Sequence, residues 1–502
     1  MRLRVSATIS SGMFEPSSIR MNDYVLNSDT ICAISTPAGV GGIAVIRVSG
    51  NDALSVVARC WQGCDISTAA SHTAHLGRII DPADGSIVDE VVLTIFRAPH
   101  SFTGEDTAEI SCHGSLWIQQ AILNVLITCG CRAATAGEFT RRAFTGGRID
   151  LSQAEAIADL IAASSRAAHR IAMNQMRGDF SRELSALRAK LLEFVALMEL
   201  ELDFSEEDVE FADRTKLIDL AVEIEHVIGS LADSFAVGNA ILNGVPVAIV
   251  GETNAGKSTL LNYFLHDDRA IVSDIHGTTR DSIEDTVTIS GTLFRFIDTA
   301  GLRDTSDAVE TLGIERTMQK IAKARIVLWI IDGTSSNERI VEVGSHIIDK
   351  ITQDDAAGSG SSDNADKQLI AVINKCDKIT PAQTDEIQSA LKKILPARTP
   401  VIVISAREKV GLDRLTTSIT KAAAIPEDNE NQVIVTNARH YQALSSARNA
   451  ISRALTGLRT GVSGDFVSQD IRECMHYLGE ITGEITPDNI LSEIFSRFCV
   501  GK

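Results

Sequence analysis

Gly251-Glu-Thr-Asn-Ala-Gly-Lys-Ser258 places a G-x4-G-K-S spacing between an apolar run and a helix-forming stretch. Glycines at the ends of such a loop let successive backbone N–H groups curl around phosphate oxygens. Asn254, Ala255 and Gly256 shape the turn, Lys257 offers a cation to the β- and γ-phosphates, and Ser258, followed by Thr259, offers a hydroxyl to Mg2+. Taken alone, the motif competes with a plain glycine-rich turn before a helix. Four further elements follow in chain order. Thr278 and Thr279 stand where a loop can bring a threonine hydroxyl to Mg2+. Asp298, Thr299, Ala300 and Gly301 follow an apolar run, with an acid to hold Mg2+ through water and a glycine N–H to sense the γ-phosphate. Asn374-Lys375-Cys-Asp377 supplies a carboxylate that can accept from the N1–H and 2-amino groups of guanine, a donor pair adenine lacks. Ser405-Ala406-Arg407 follows, where a backbone N–H can meet the guanine oxygen. Five elements in this order point to a site for GTP and Mg2+.

The elements that must position these residues are legible as alternating strands and helices. Val247–Val250, Leu293–Ile297, Ile326–Ile331, Leu369–Ile373 and Val401–Ile404 read as buried strands of a parallel sheet covered on both faces. Gly244–Pro246 breaks the preceding helical pattern, and Asp354–Lys367, rich in Gly, Ser and Asp, reads as a surface loop. Helical periodicity runs from Leu151 to Leu202 and returns after about Ile425 as far as Phe498. From Thr30 to about Gly130 short β-type runs such as Ile43–Val48 and Val91–Phe96 dominate. The expected fold class is therefore multidomain α/β and α, with an N-terminal α+β domain at 28–146, a helical-bundle domain at 147–243 and 425–502, and a Ras-like P-loop α/β domain at 244–424 inserted into it.

Length and composition set limits on function. A chain of 502 residues has room for about three or four domains. The net charge of -19 argues against a broadly basic nucleic-acid wrapper, so an RNA partner must meet a local basic patch. No apolar run is long enough to span a membrane. The nine cysteines are scattered without paired C-x2-C units, which favours reduced thiols in a cytosol over a zinc site. Residues 1–27 carry Arg2, Arg4, Arg20, several serines and few acids. They lack an amphipathic pattern and read as a disordered extension, with Met21 as an alternative start; a transit peptide, and hence a mitochondrial rather than cytoplasmic location, is the other reading.

One position departs from Ras-like practice. The residue after the Asp-x-x-Gly element, where a glutamine orients the attacking water, is Leu302. The run Arg303-Asp-Thr-Ser-Asp-Ala-Val-Glu310 holds several polar substitutes, none singled out by the residues themselves.

Asn254 in the phosphate loop, Ile275-His-Gly-Thr-Thr-Arg-Asp281, Asp298-Thr-Ala-Gly-Leu-Arg303 and the ending Phe498-Cys-Val-Gly-Lys502 together resemble the MnmE (TrmE) family of tRNA-modification GTPases. The resemblance extends from about Asp29 to Lys502. It implies a homodimer whose G domains pair, with K+ in place of an arginine finger, held by Asn254, Ser273, Thr278 and the carbonyl of Ile275. It puts the water-positioning role on Glu310. It implies a flavin-dependent partner, MnmG, with which the family installs an aminomethyl or carboxymethylaminomethyl group at C5 of the wobble uridine (position 34) of certain tRNAs. A tetrahydrofolate derivative, 5-formyl or 5,10-methylene, supplies the carbon. The implied folate residues are Arg47, Glu109, Arg148 (lysine in some relatives) and Lys502, with Cys499 either a chemical participant or a small packed residue. Val40 stands in a Gly-rich turn where relatives often carry a basic residue. Two other readings fit parts of the sequence: an Era-type factor binding ribosomal RNA, for which no basic appendage is visible, and a nucleotide-gated scaffold that leaves the chemistry to its partner.

Overall fold

The computed structural model describes residues 29–203, 214–266, 271–272, 285–297, 321, 324–356, 367–423, 433–496, 498, 500 and 501. They form two compact units, one running to Arg148 and including the chain from Ser492 onward, the other from Ile149 to Leu491. The residue pattern had kept 425–502 together. The last segment instead groups with the first unit because its aromatic residues are buried there: the Phe495 ring lies 6.2 Å from that of Phe144, and Val500 forms an isolated antiparallel bridge with Ala136.

The first unit is built on a seven-stranded sheet. In chain order its strands are β1 (Ile31–Ile34), β2 (Ile43–Ser49), β3 (Trp61–Gln62), β4 (Thr73–Ile80), β5 (Ile87–Phe96), β6 (Thr107–His113) and β7 (Arg132–Ala133). Their spatial order is β3-β4-β5-β6-β2-β1-β7. Neighbours are antiparallel except β1 and β7. Strand alternation sends Ala44, Ile46 and Val48 into a core shared with Ile122, Val125 and Leu126 of helix Leu116–Thr128. The same alternation sends Arg47 to the other face.

In the second unit, helices Asp179–Asp203, Arg214–Asp233, Ala438–Thr460 and Gly464–Thr482 bury one continuous apolar cluster. Phe180, Leu184, Leu187, Leu191 and Phe194 repeat at three- and four-residue spacing and meet Leu444, Ala447, Ile451 and Leu455. Segments from both sides of the α/β region thus share one core.

The α/β region has β8 (Val245–Val250), β9 (Ile271–Val272), β10 (Asp285–Ile289), β11 (Thr292–Phe296), β12 (Ile326–Asp332), β13 (Gln368–Asn374) and β14 (Val401–Val403). They lie in the order β14-β13-β12-β8-β11-β10-β9. The strands from β14 to β11 are parallel, and β10 and β9 are antiparallel additions. Val247 and Ile249 enter the core on one face while Ala248 and Val250 enter the core on the other, and β12 and β13 alternate likewise, which is why the middles of these three strands are apolar throughout. The strand β8 begins at Val245, so Pro246 lies inside it rather than before it. Proline is tolerated there because pairing with β12 starts only at Val247. The strand β10 escapes a search for continuous apolar runs because it reads Asp-Thr-Val-Thr-Ile; Ser290 and Gly291, both at positive φ, turn it into β11. Among the described residues no helix is long and apolar enough to cross a membrane.

Helix Leu151–Ala162 starts with a capping box between Asp150 and Gln153 and is fixed to the bundle by a buried charge cluster. Glu155 accepts from Arg439 at 3.0 and 2.8 Å and lies 2.6 Å from Nε2 of the fully buried His440. Arg439 also donates to the carbonyls of Glu480 and Ile481, at 2.6 and 3.2 Å. Burial opposes ionisation of Glu155, but His440 and Arg439 outweigh it and bring the pKa down to about 2. A depressed carboxylate pKa contributes stability above its unfolded value near 4.5, and that contribution is lost as pH falls toward 2. Removing the carboxylate leaves the half-buried Arg439 guanidinium and the buried His440 ring without their shared partner. Glu155→Ala is therefore expected to destabilise the helical region by about 3–5 kcal/mol, read as a shifted denaturant midpoint at pH 7. A shift under about 0.5 kcal/mol, within surface-mutation scatter, would remove this cluster from the stability argument.

Candidate functional site: a nucleotide pocket and a second polar site

The strand β8 runs directly into the loop 251–256, and helix Lys257–His266 leaves it. Backbone conformation dictates the residue types. Gly251 has φ 142°, and a Cβ there would stand 2.2 Å from the carbonyl oxygen of Ile330. Asn254 is held at φ 63°, a left-handed conformation that asparagine tolerates better than most residues. Gly256 has φ 98°, and a Cβ there would meet Nδ2 of Asn374 at 2.1 Å. Lys257 Nζ donates to the carbonyls of Gly251 and Glu252 at 2.8 and 2.6 Å, so its charge lies across the loop. Ser258 and Thr259 follow in the first turn of the helix, whose N-terminus faces the loop with its partial positive charge.

Asn374, at the end of β13 and 3% exposed, joins this loop to the base-recognition segments. Its Nδ2 donates to the Ala255 carbonyl at 2.7 Å, and its Oδ1 accepts from Ala406 N–H at 2.9 Å. Asp377 Oδ1 accepts from the buried Ser405 hydroxyl at 2.6 Å, and that bond holds the carboxyl below its usual range. The carboxylate is otherwise exposed, with lone pairs directed at solvent. Lys375, at φ 64°, donates to Asp332 at 2.6 Å. Burial works against ionisation of Asp332, yet the Lys375 and Thr334 hydrogen bonds keep its pKa low. Arg407 extends into solvent, its side chain 80% exposed. The structure thus brings Asn254, Ala255, Gly256, Lys257, Ser258, Asn374, Lys375, Asp377, Ser405 and Ala406 to one end of the parallel sheet. Ser273, Ile275, Thr278, Thr279, Asp298, Thr299, Ala300, Gly301 and Glu310 lie outside the described residues. Sequence reasoning missed Asp332; its only signal was an acid closing an otherwise apolar strand.

A second polar site lies in the first unit. Arg47 and Glu109 stand opposite each other in the β2/β6 register. Arg47 Nη2 and Nε donate to the same Glu109 oxygen at 2.8 and 3.0 Å, leaving the other carboxylate oxygen to accept from elsewhere. The guanidinium lies 5.1 Å from the ring centre of Phe102 and 5.7 Å from that of Phe139. Arg148 is exposed, with its stem against Gly104. Ala33 of β1 pairs with Arg47, and the next residues receive the C-terminal segment. Ser35 Oγ donates to the Gly501 carbonyl at 3.1 Å, and a Cβ on Gly501 would stand 2.2 Å from the Ile34 carbonyl oxygen. Cys499 and Lys502 lie outside the described residues.

A parallel sheet with a phosphate loop after its first strand and an Asn-Lys-x-Asp segment after a later one defines a P-loop protein built to bind guanine nucleotides. The sequence matches the family model of the MnmE helical domain over residues 151–499 and that of the GTP-binding protein TrmE N-terminus over residues 30–148. The tRNA modification GTPase MnmE of Bacteroides thetaiotaomicron is 53% identical over 481 residues, which cover 95% of this chain and all of the relative. That of Bacteroides fragilis is 52% identical with the same coverage, and that of Parabacteroides distasonis is 52% identical over 94% of this chain and all of its own length. This chain belongs to the MnmE family.

The Asp377 geometry yields a direct test of base selection. Asp377→Asn keeps an acceptor for Ser405 but replaces one acceptor facing the base with a donor. GTP affinity should fall at least about tenfold, one lost charged hydrogen bond, while xanthosine triphosphate gains. Titration of both nucleotides against the variant measures this, and unchanged GTP affinity would dismiss Asp377 as the base reader.

Proposed function

We propose that this chain couples GTP hydrolysis to modification of C5 of the wobble uridine of tRNA, working as a homodimer in the cytoplasm with a flavin-dependent MnmG partner and a tetrahydrofolate one-carbon donor. The observation that carries the reading is the Asn374 bridge, which ties phosphate loop to base loop in a chain of this family. Mg2+ and K+ would supply positive charge against the negative charge that develops between the β- and γ-phosphates, and the folate would supply the carbon. Lys257 and the N–H groups of the loop cradle phosphate oxygens, and Asp377 with the Ala406 region orients guanine. Ser258 and Thr279 are the proposed hydroxyl ligands for Mg2+, and Asn254, Ser273, Ile275 and Thr278 the proposed shell for K+. Asn254 is exposed on the loop, so its side-chain oxygen is open to an ion. Glu310 is the proposed water-positioning residue, since Leu302 cannot serve.

For folate, the second site offers a matching donor and acceptor set. Glu109 keeps an oxygen free for the amino and ring N–H groups of a pterin, and the Phe102 and Phe139 rings hold the Arg47 guanidinium in place beside it. Arg148 is an exposed cation suited to an anionic tail. The docked residues 500 and 501 support a role for the neighbouring Cys499 and Lys502 at this same site.

Two measurements test the proposal at independent points. GTP turnover in potassium should exceed that in sodium by on the order of a hundredfold, the scale of one lost electrostatic stabiliser, and equal rates would remove K+ from the mechanism. Deleting residues 499–502 should abolish tRNA modification and weaken folate binding by at least about tenfold, on the scale of one charged contact, while potassium-stimulated GTP hydrolysis stays within about twofold of the full chain. If folate affinity and modification survive the deletion and only the melting temperature falls, the tail is a packing device.

A further inference from the structure

Between Asp159 and Asp179 the sequence contains no acid, yet it holds Arg166, His169, Arg170 and Arg177. In a chain of net charge -19 such a stretch departs from its surroundings. The structure shows why it is a surface feature. Helix Arg166–Met176, capped by Ser165, buries Ala168, Ile171, Ala172 and Gln175. At about 100° per residue those four share one side, and Arg166, His169, Arg170 and Arg177 fall within a sector roughly 100° wide on the opposite side. Arg166, His169 and Arg177 are exposed and Arg170 is half-buried.

Several surface cations elsewhere in this unit are paired with acids. Arg182 pairs with Asp179, Lys190 with Glu223, Arg448 with Asp233, and Arg453 with Asp470 and Glu473. Among the described residues no carboxylate pairs with Arg166, Arg170 or Arg177. Of the helices packed against this one, Phe235–Asn243 has no ionisable residue. In Leu151–Ala162, Glu155 is committed to Arg439 and His440, and burial pushes the Asp159 carboxyl up to about 6. In Asp179–Asp203, Asp179 pairs with Arg182, and Glu183 is an exposed acid that pairs with none of the three arginines.

We infer that the exposed face of helix Arg166–Met176 is a contact surface for the phosphodiester backbone of tRNA, an inference that rests on the proposed tRNA-modifying function. The three guanidinium groups extend over about 16 Å of helix axis, enough to follow a stretch of backbone. Each can take a phosphate with two parallel N–H donors. Apart from the imidazole of His169 the face carries no aromatic ring on which a base could stack, so its contacts are mainly to the backbone and position the RNA rather than read its sequence.

The test is fluorescence anisotropy of a labelled, unmodified tRNA transcript against the full chain over a potassium chloride series. The variants are Arg166→Gln/Arg177→Gln, confined to exposed positions, and the triple variant that adds Arg170→Gln. The triple variant should flatten the slope of log affinity against log salt by about 2–3, and lower affinity at low salt by on the order of tenfold to a hundredfold. The double variant should show about two thirds of the change in slope. A triple Arg→Lys variant should keep the slope, and GTP hydrolysis should match wild type in all. Wild-type affinity and slope in both glutamine variants would overturn the inference while leaving the proposed function standing. So would unchanged tRNA binding with lost association to the flavin-dependent partner, which would make the surface a protein contact. A wild-type chain that hydrolyses GTP but binds no tRNA would remove the proposed function, and the inference with it. If the triple variant melts early, the double variant decides.

Discussion

The side-chain amide of Asn374 is the constraint on which the nucleotide site depends. It spends its donor on the phosphate loop and its acceptor on the base loop, and at 3% exposure neither bond faces competition from water. An aspartate there would repel the Ala255 carbonyl, and a leucine would strand a buried carbonyl and a buried N–H at a cost of about 1–3 kcal/mol each. Gly256 is required by the same amide, since a Cβ would occupy the space of Nδ2. Two loops 119 and 32 residues away from Asn374 are thereby fixed relative to one another before any ligand arrives. Preorganisation of this kind reduces the ordering cost of binding, because loop geometry is set by folding.

The site inherits its position from the sheet. The strands β8, β12, β13 and β14 are parallel, so their carboxyl ends, and the loops that follow them, emerge on the same edge. Lys375 and Asp332 sit at directly paired ends, since Asp332 is in register with Asn374. Their ion pair closes the floor of the base loop while Asp377, two residues on, stays exposed to the ligand. One short segment thus divides its labour: Asn374 and Lys375 hold the scaffold, and Asp377 faces outward.

Legibility in the sequence followed locality. Gly251, Gly256, Lys257 and Ser258 could be recognised because a phosphate loop is a contiguous backbone shape whose residue types are fixed by φ and close approach. The five buried strands of the α/β region could be read because burial leaves a near-continuous apolar run, broken only by Arg295 in Leu293–Ile297. The strand β10 could not, because its alternating threonines carry no such signal. Nor could the Asn374 bridge, the Lys375–Asp332 pair, or the cluster of Glu155 with Arg439 and His440, whose members are brought together by topology across as many as 285 residues. The placement of Phe495 and Phe498 belongs with these: helical periodicity marks them as apolar, but only the fold decides which core receives them.

The second polar site differs from the first in how it is held. In the nucleotide pocket the backbone is the scaffold and side chains lock it. Around Arg47 the backbone is ordinary antiparallel sheet, and the site is defined by side chains that register places opposite one another. A register shift of one residue would send Arg47 to the core and Ile46 to the pocket, so the pairing of β2 with β6 is a requirement of the site as much as of the fold. The C-terminal segment reinforces that register from the far side of β1. Gly501 approaches the Ile34 carbonyl too closely for any side chain, and Ile34 is itself paired with Ile46. The chain's last described residues therefore bear on the strand next to the one that carries Arg47.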